Sequence, residues 1–234
     1  MKFFKFIFVL LVFSTSPVNA STYIDNFDDL TTQYVSSGFA TSISTSTVAT
    51  NNALGGYRKI NIEKTGALAS AKVKDGKFYH SAGVGTSAKS TITWDANGTG
   101  LNANLLATDT LGFAGSSCYE CFVLDIISID QGNVDLTIQL NDGTNTYSHT
   151  STGVDTGILE ILFSQFNNNI DFSSIFSISL IVEGGIAGDM SLDFQGYTGK
   201  ALALSNVNSV PLPASLWLFI PGLISFFGAH RHRK

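Results

Sequence analysis

Cys118 and Cys121 are the chain's two cysteines, set three apart in Ser117-Cys118-Tyr119-Glu120-Cys121. Such a pair can close a local disulfide, supply half a metal site or exchange electrons. Redox exchange needs a helix after the first cysteine within a βαβ unit, whereas Phe122-Val123-Leu124-Asp125-Ile126-Ile127 reads as a strand. Zinc needs a second ligand pair, and none stands at metal spacing. A bridge suits an oxidising compartment, but it requires Cα atoms within about 7 Å. Residues three apart in a strand lie about 10 Å from each other. A bridged pair therefore predicts a turn at 118–121, just before the strand.

Other reactive types are sparse. His80 and His149 are the histidines of the central region, each flanked by polar residues in a predicted strand and expected to be solvated. There is no Gly-x-Ser-x-Gly elbow and no His-Glu-x-x-His. Gly83-Val84-Gly85-Thr86-Ser87 lacks the lysine and helix of a phosphate loop and reads as a turn. Many acids could meet as a glycosidase pair, yet no spacing selects two of them. The expectation is a non-enzymatic protein.

Charge and hydropathy divide the chain into a folded middle and two addresses. Lys2 and Lys5 precede the apolar run Phe6–Phe13, and small residues follow to Val18-Asn19-Ala20. That is the layout of a signal peptide, with cleavage predicted between Ala20 and Ser21. The run is short of the roughly 20 residues that span a bilayer; the competing reading is an uncleaved anchor. All 18 acids lie between the two ends, whereas five of the 13 basic residues lie in them, leaving the middle at −10. Such a surface repels phosphate backbones, so no nucleic-acid partner is expected.

The elements that position these residues are strands. Val134-Asp135-Leu136-Thr137-Ile138-Gln139-Leu140 alternates strictly, as do 57–62, 90–94, 176–182 and 190–195. The alternation of 176–182 puts Phe176 inward with Ile178. Further strands are expected at 68–73, 78–82, 122–129, 147–150 and 158–163, with 122–129 doubly covered because it is apolar on both faces. Asp75-Gly76 and Asp142-Gly143 mark tight hairpins, and Asp130-Gln131-Gly132-Asn133 reads as another. Residues 36–52 read as an irregular excursion or weak edge strand. About ten such strands make a two-sheet antiparallel sandwich over 21–197, with 198–209 as a linker.

The tail runs Val210-Pro211-Leu212-Pro213-Ala214-Ser215-Leu216-Trp217, continues apolar to Ala229 and ends His230-Arg231-His232-Arg233-Lys234. As a helix, 213–229 would be about 25 Å long, short of a hydrocarbon core of about 30 Å. Snorkelling basic groups and bilayer thinning close that gap. Arg231, Arg233 and Lys234 should stay cytoplasmic. A plain membrane anchor is one reading. The ordered set of Pro211, Leu212 and Pro213, then Trp217, an apolar run and a basic end resembles the PEP-CTERM sorting signal, with Leu212 where that family usually carries glutamate. The resemblance implies processing by an exosortase, a membrane-embedded cysteine protease, near Pro211–Pro213, transient anchoring in the inner membrane, and delivery to the envelope, surface or exterior.

Within the middle, Ile24-Asp25-Asn26-Phe27-Asp28-Asp29, Gly55-Gly56-Tyr57-Arg58, Thr91-Ile92-Thr93-Trp94-Asp95, Phe163-Ser164-Gln165-Phe166 and Gly188-Asp189-Met190-Ser191-Leu192-Asp193-Phe194 occur in an order that resembles galactose-binding-like jelly rolls, including carbohydrate-binding modules. The resemblance implies a jelly-roll sandwich. It also implies a structural calcium, for which Asp25, Asp28, Asp29 and Asp193 are the candidate ligands; solvated turn acids are the alternative. An exopolysaccharide would be met by Tyr57, Tyr79, Tyr119 and Tyr147, with Arg58 for hydroxyls; half-buried sheet tyrosines are the alternative. Trp94 shares a face with Ile92 and belongs to the core. The leading expectation is an exported matrix or envelope protein, followed by a carbohydrate-binding module and then by a secreted hydrolase.

Overall fold

The structure, a computed structural model, describes residues 23–39, 42–106, 118–130, 133–167 and 169–198. The cleavage site Ala20–Ser21, and the tail with Val210, Pro211, Leu212, Pro213, Trp217, Arg231, Arg233 and Lys234, lie outside the described residues.

Twelve strands are described: β1 (Gln33–Ser37), β2 (Ile43–Ala49), β3 (Tyr57–Thr65), β4 (Ala69–Lys74), β5 (Lys77–Ala82), β6 (Ser87–Trp94), β7 (Cys121–Asp130), β8 (Val134–Asn141), β9 (Thr146–Ser151), β10 (Gly157–Leu162), β11 (Ser177–Gly184) and β12 (Asp189–Thr198). They form two antiparallel sheets. The first has the order β1-β4-β5-β12-β7-β10 and the second β2-β3-β6-β11-β8-β9. From β5 onward the chain alternates between sheets at each connection, except for the β8–β9 hairpin. The last four strands of each order, β5-β12-β7-β10 and β6-β11-β8-β9, thus have the two-Greek-key connectivity of a jelly roll. β4 with β1 extends one sheet and β3 with β2 the other.

Strand alternation explains the core. On the second sheet, Ile60, Ile92, Leu180 and Ile138 are successive cross-strand partners, and all four are fully buried. Phe78, Met190, Leu192, Phe194, Phe122 and Leu124 face them from the first sheet. Trp94 is fully buried and meets Phe194 edge-on, at 5.5 Å between centroids. Truncating a side chain of that size in a packed core costs about 3–5 kcal/mol.

Three expectations need correction. The Asp130–Asn133 connection is not a hairpin, because β7 pairs in the first sheet and β8 in the second. A short polar link between two apolar runs reads the same whether it folds back or crosses. Phe176 precedes β11 and is partly exposed; its ring lies over Gly100, where any Cβ would collide with it. β7 is doubly covered only in its first half: Cys121–Leu124 are buried, but Ile127 and Ser128 are exposed. The 36–52 stretch contains β2, an edge strand, and the end of β1, another edge strand, whose first three residues lie in a segment where no strand signal was read.

Candidate functional site

Arg58 is the second residue of β3, a strand in which alternate residues face opposite ways. Tyr57 therefore points out of the second sheet and Arg58 into the core, with no exposed surface. Its guanidinium donates Nε to Asp25 Oδ2 and Nη2 to Asp25 Oδ1, each at 2.6 Å. Nη1 donates to Asp29 Oδ2 at 2.6 Å and to Gln33 Oε1 at 3.3 Å. Trp94 Nε1 donates to Asp25 Oδ2 at 2.8 Å, and the Phe27 amide to Asp25 Oδ1 at 2.9 Å. Thr50 and Asn52 donate to Asp29 Oδ1. The Phe27 ring lies 5.2 Å from the guanidinium carbon. Burial opposes the Arg58 charge, but Asp25 and Asp29 outweigh it and hold its pKa above the ordinary arginine value. Burial likewise opposes the Asp29 carboxylate, but the hydrogen bonds from Thr50, Arg58 and Asn52 and the Arg58 charge together outweigh it, and its pKa is lowered.

This network corrects one reading. Arg58 is a structural cation, not a surface group for sugar hydroxyls. Among the candidate calcium ligands Asp25, Asp28, Asp29 and Asp193, both oxygens of Asp25 accept from Arg58, Trp94 and the Phe27 amide, and the Arg58 charge joins Asp25 to Asp29. Calcium takes six to eight oxygens, and among the described residues no group of three or more His, Cys, Asp or Glu is arranged to hold a metal. Asp193 stands on β12 directly opposite Asp125 of β7. Burial, then the Asp125 and Asp25 charges, push its carboxyl up to about 6 against the pull of Lys77.

His80 is also corrected, from solvated to buried. It faces inward on β5 at 1% exposure, and its Nδ1 lies 2.7 Å from Ser90 Oγ. Nε2 has no hydrogen-bond partner among the described residues and faces Gly184, where a Cβ would stand 2.8 Å away. Burial lowers its pKa to about 4, against the pull of Asp189. Glycine at 184 is what admits the ring. His149 is half-buried, its ring 6.1 Å from Phe166.

The cysteines are bridged, with Cα atoms 6.2 Å apart. Glu120, at φ 54°, makes the turn that shortens the span. β7 follows, a strand, so the helix of a redox pair is lacking.

The tyrosines do not gather on one surface. Tyr57 lies on the outer face of the second sheet opposite Ala49. Tyr147 pairs with Leu140 and packs partly buried against the core. Tyr119 is 62% exposed in the bridged turn. Tyr79 differs, because it lies in an organised row. Across the outer face of the first sheet run Tyr34, Lys72, Tyr79, Ser191 and Ser128, each the direct partner of the next. Beside them run Ser36, Ser70, Ser81, Asp189 and Asp130, partnered in the same way. Between the rows is a shallow depression of about 410 Å³. Tyr34 is 58% exposed, and Lys72 Nζ sits 4.7 Å from the centroid of the Tyr79 ring. Tyr34 and Lys72 escaped the sequence reading. In Gln33-Tyr34-Val35-Ser36-Ser37 the buried positions include Gln33 and Ser37, so polar inward residues mask the alternation.

No family model matches the sequence, and no curated protein matches it. Solved structures do show likeness. The family 11 carbohydrate-binding module of a cellulosomal cellulase of Clostridium thermocellum aligns at 14% identity and TM-score 0.36, over 77% of this chain and 95% of its own. TmCBM61, solved with β-1,4-galactotriose, aligns at 15% identity and TM-score 0.31, over 70% of this chain and 86% of its own. An agarase, AgWH50C, aligns at 10% identity and TM-score 0.34, over 59% of this chain and 24% of its own. Likeness at this level assigns no ligand to this chain.

Proposed function

We propose that this chain is an exported, non-catalytic carbohydrate-binding protein that holds glycan on the outer face of its first sheet. In this reading the N-terminal segment and the PEP-CTERM-like tail carry it through the export machinery and an exosortase to the cell envelope or exterior. The observation that carries the binding role is the registered pair of rows. Tyr34 and Tyr79 offer rings for the apolar faces of sugars. Ser70, Ser81, Ser128 and Ser191 offer hydroxyls, and Asp130 and Asp189 offer acceptors for sugar hydroxyls, all around one depression. A few convergent polar groups beside aromatic surface are what a saccharide site requires.

The test is affinity electrophoresis of the full chain through a panel of polysaccharides. At least one should retard the wild type, and Tyr34→Ala with Tyr79→Ala should weaken that binding on the order of tenfold, as truncated aromatic anchors do. Retardation no greater than that of an unrelated β-sandwich on every polysaccharide would reject the binding role. Recovery of the native chain from cytosol with Met1 and Lys234 intact would reject the export role.

A further inference from the structure

Tyr79 is not a free platform. Lys72 stands between Tyr34 and Tyr79 in the row and is the direct cross-strand partner of both. Its ammonium rests over the Tyr79 ring, 4.7 Å from the centroid, where cation and ring attract. A sugar that stacks on Tyr79 from that side must displace the ammonium. A neutral sugar offers the displaced charge no partner, whereas a sugar carrying a carboxylate offers an ion pair and vacates the ring for its own apolar face.

We infer that Lys72 makes this face selective for acidic polysaccharides, leaving the Tyr79 ring to meet the ligand's carboxylate. This inference rests on the glycan-binding reading and adds the ligand's charge to it. The surroundings favour the same ligand class. Lys74 and Lys77 lie on the same outer face, directly opposite each other across the β4–β5 hairpin. Like charges in that position are destabilising, and a bound anion relieves them. The neighbouring acid of Lys74 is Asp75, 3.5 Å away and largely exposed, a pairing worth little in water. Asp189, Asp193, Asp125 and Asp130 occupy β12 and β7. They repel a polyanion from that half, so the carboxylated chain lies along β1, β4 and β5. Its hydroxyls then reach across to Asp130 and Asp189 on the far side of the depression.

The decisive comparison uses one polymer in two charge states. The full chain is titrated with polygalacturonate and with the same polymer fully methyl-esterified. The wild type should prefer the charged form by about tenfold or more, with the preference shrinking as salt rises. Lys72→Ala should lose on the order of tenfold for the charged form and bind the esterified form more tightly, because the ring is uncovered. Lys72→Arg should keep the preference. Equal binding of both forms by the wild type, or an unchanged ratio in Lys72→Ala, would overturn the charge selection while the tyrosine-dependent glycan binding stands. Absence of binding to every polysaccharide tried would instead remove the glycan-binding reading itself.

Discussion

Arg58 and Lys72 each set a cation against an aromatic ring, yet they serve different ends. Arg58 is fully buried, and its fork is met by Asp25, Asp29 and Gln33. Lys72 lies on an outer face with, among the described residues, only the Tyr79 ring against its ammonium. Desolvation separates the two. A buried charge persists only when its hydrogen-bonding capacity is filled, and a filled group has nothing left to offer a ligand. A half-exposed cation over a ring is held weakly and can be drawn away. The same chemistry is thus architecture in the core and, in the proposed reading, recognition on the outer face.

The largest expected effect breaks the architectural side. Arg58→Ala leaves Asp25 buried without its counter-charge and should lower stability by about 3–5 kcal/mol. Arg58→Lys should recover little of it, because a point charge cannot satisfy two carboxylates and a glutamine at fork geometry. Urea unfolding of each variant measures this. A loss under 1 kcal/mol in Arg58→Ala would remove the distinction between the two regions.

That network also marks how far the sequence could be read. The five strands with clean alternation and the five further apolar runs were legible, and so were the Asp75-Gly76 turn, with φ values of 52° and 72°, and the core position of Trp94. Arg58 and His80 were not, because the alternation that places Ile60 and Phe78 inward applies to them equally, and polarity alone argued against it. What reverses that argument is their partners. Asp25 lies 33 residues before Arg58, and Ser90 and Gly184 come from two other strands. Local pattern carries no trace of such distant pairing. The recognition face was half-legible: Tyr79 sits in a recognisable strand, but Tyr34 and Lys72 join it only through cross-strand register.

His80 gives the next effect. Its folded pKa of about 4 lies below the ordinary histidine value of 6.5, so the unfolded chain takes up the proton first as pH falls. Stability should drop between pH 6.5 and pH 4 by about 3 kcal/mol from this group, then level off. His80→Gln should flatten that part of the curve. An unaltered pH profile in the variant would show that the ring is not desolvated.

Asp193 acts in the opposite sense and more weakly, since it is only half-buried. Its folded pKa of about 6 lies above 3.8, so the folded chain holds the proton more tightly. Its contribution is full below pH 3.8 and is lost as pH rises through 6. Asp193→Asn should therefore melt above the wild type at pH 7 and coincide with it below pH 4. Because the two groups oppose each other across the same window, the wild-type curve should rise less steeply than that of Asp193→Asn, and the double variant separates them. A wild-type curve steeper than that of Asp193→Asn would reverse the sign argued here.

The smallest expected effect is the sharpest test of the contrast with Arg58. Lys72→Ala removes a cation from an exposed ring, and no described residue depends on it for a buried hydrogen bond. Surface changes of that kind stay within about 0.5 kcal/mol. Its melting temperature should therefore remain near wild type, while the relative affinity for charged and esterified polymer changes. Tyr34→Ala, at an exposed position on an edge strand, should behave likewise. If Lys72→Ala instead destabilised the fold as Arg58→Ala does, the ammonium would be a structural clamp, and its position between two tyrosines would say nothing about ligands. A stable variant with altered glycan preference leaves recognition as the reason the charge is there.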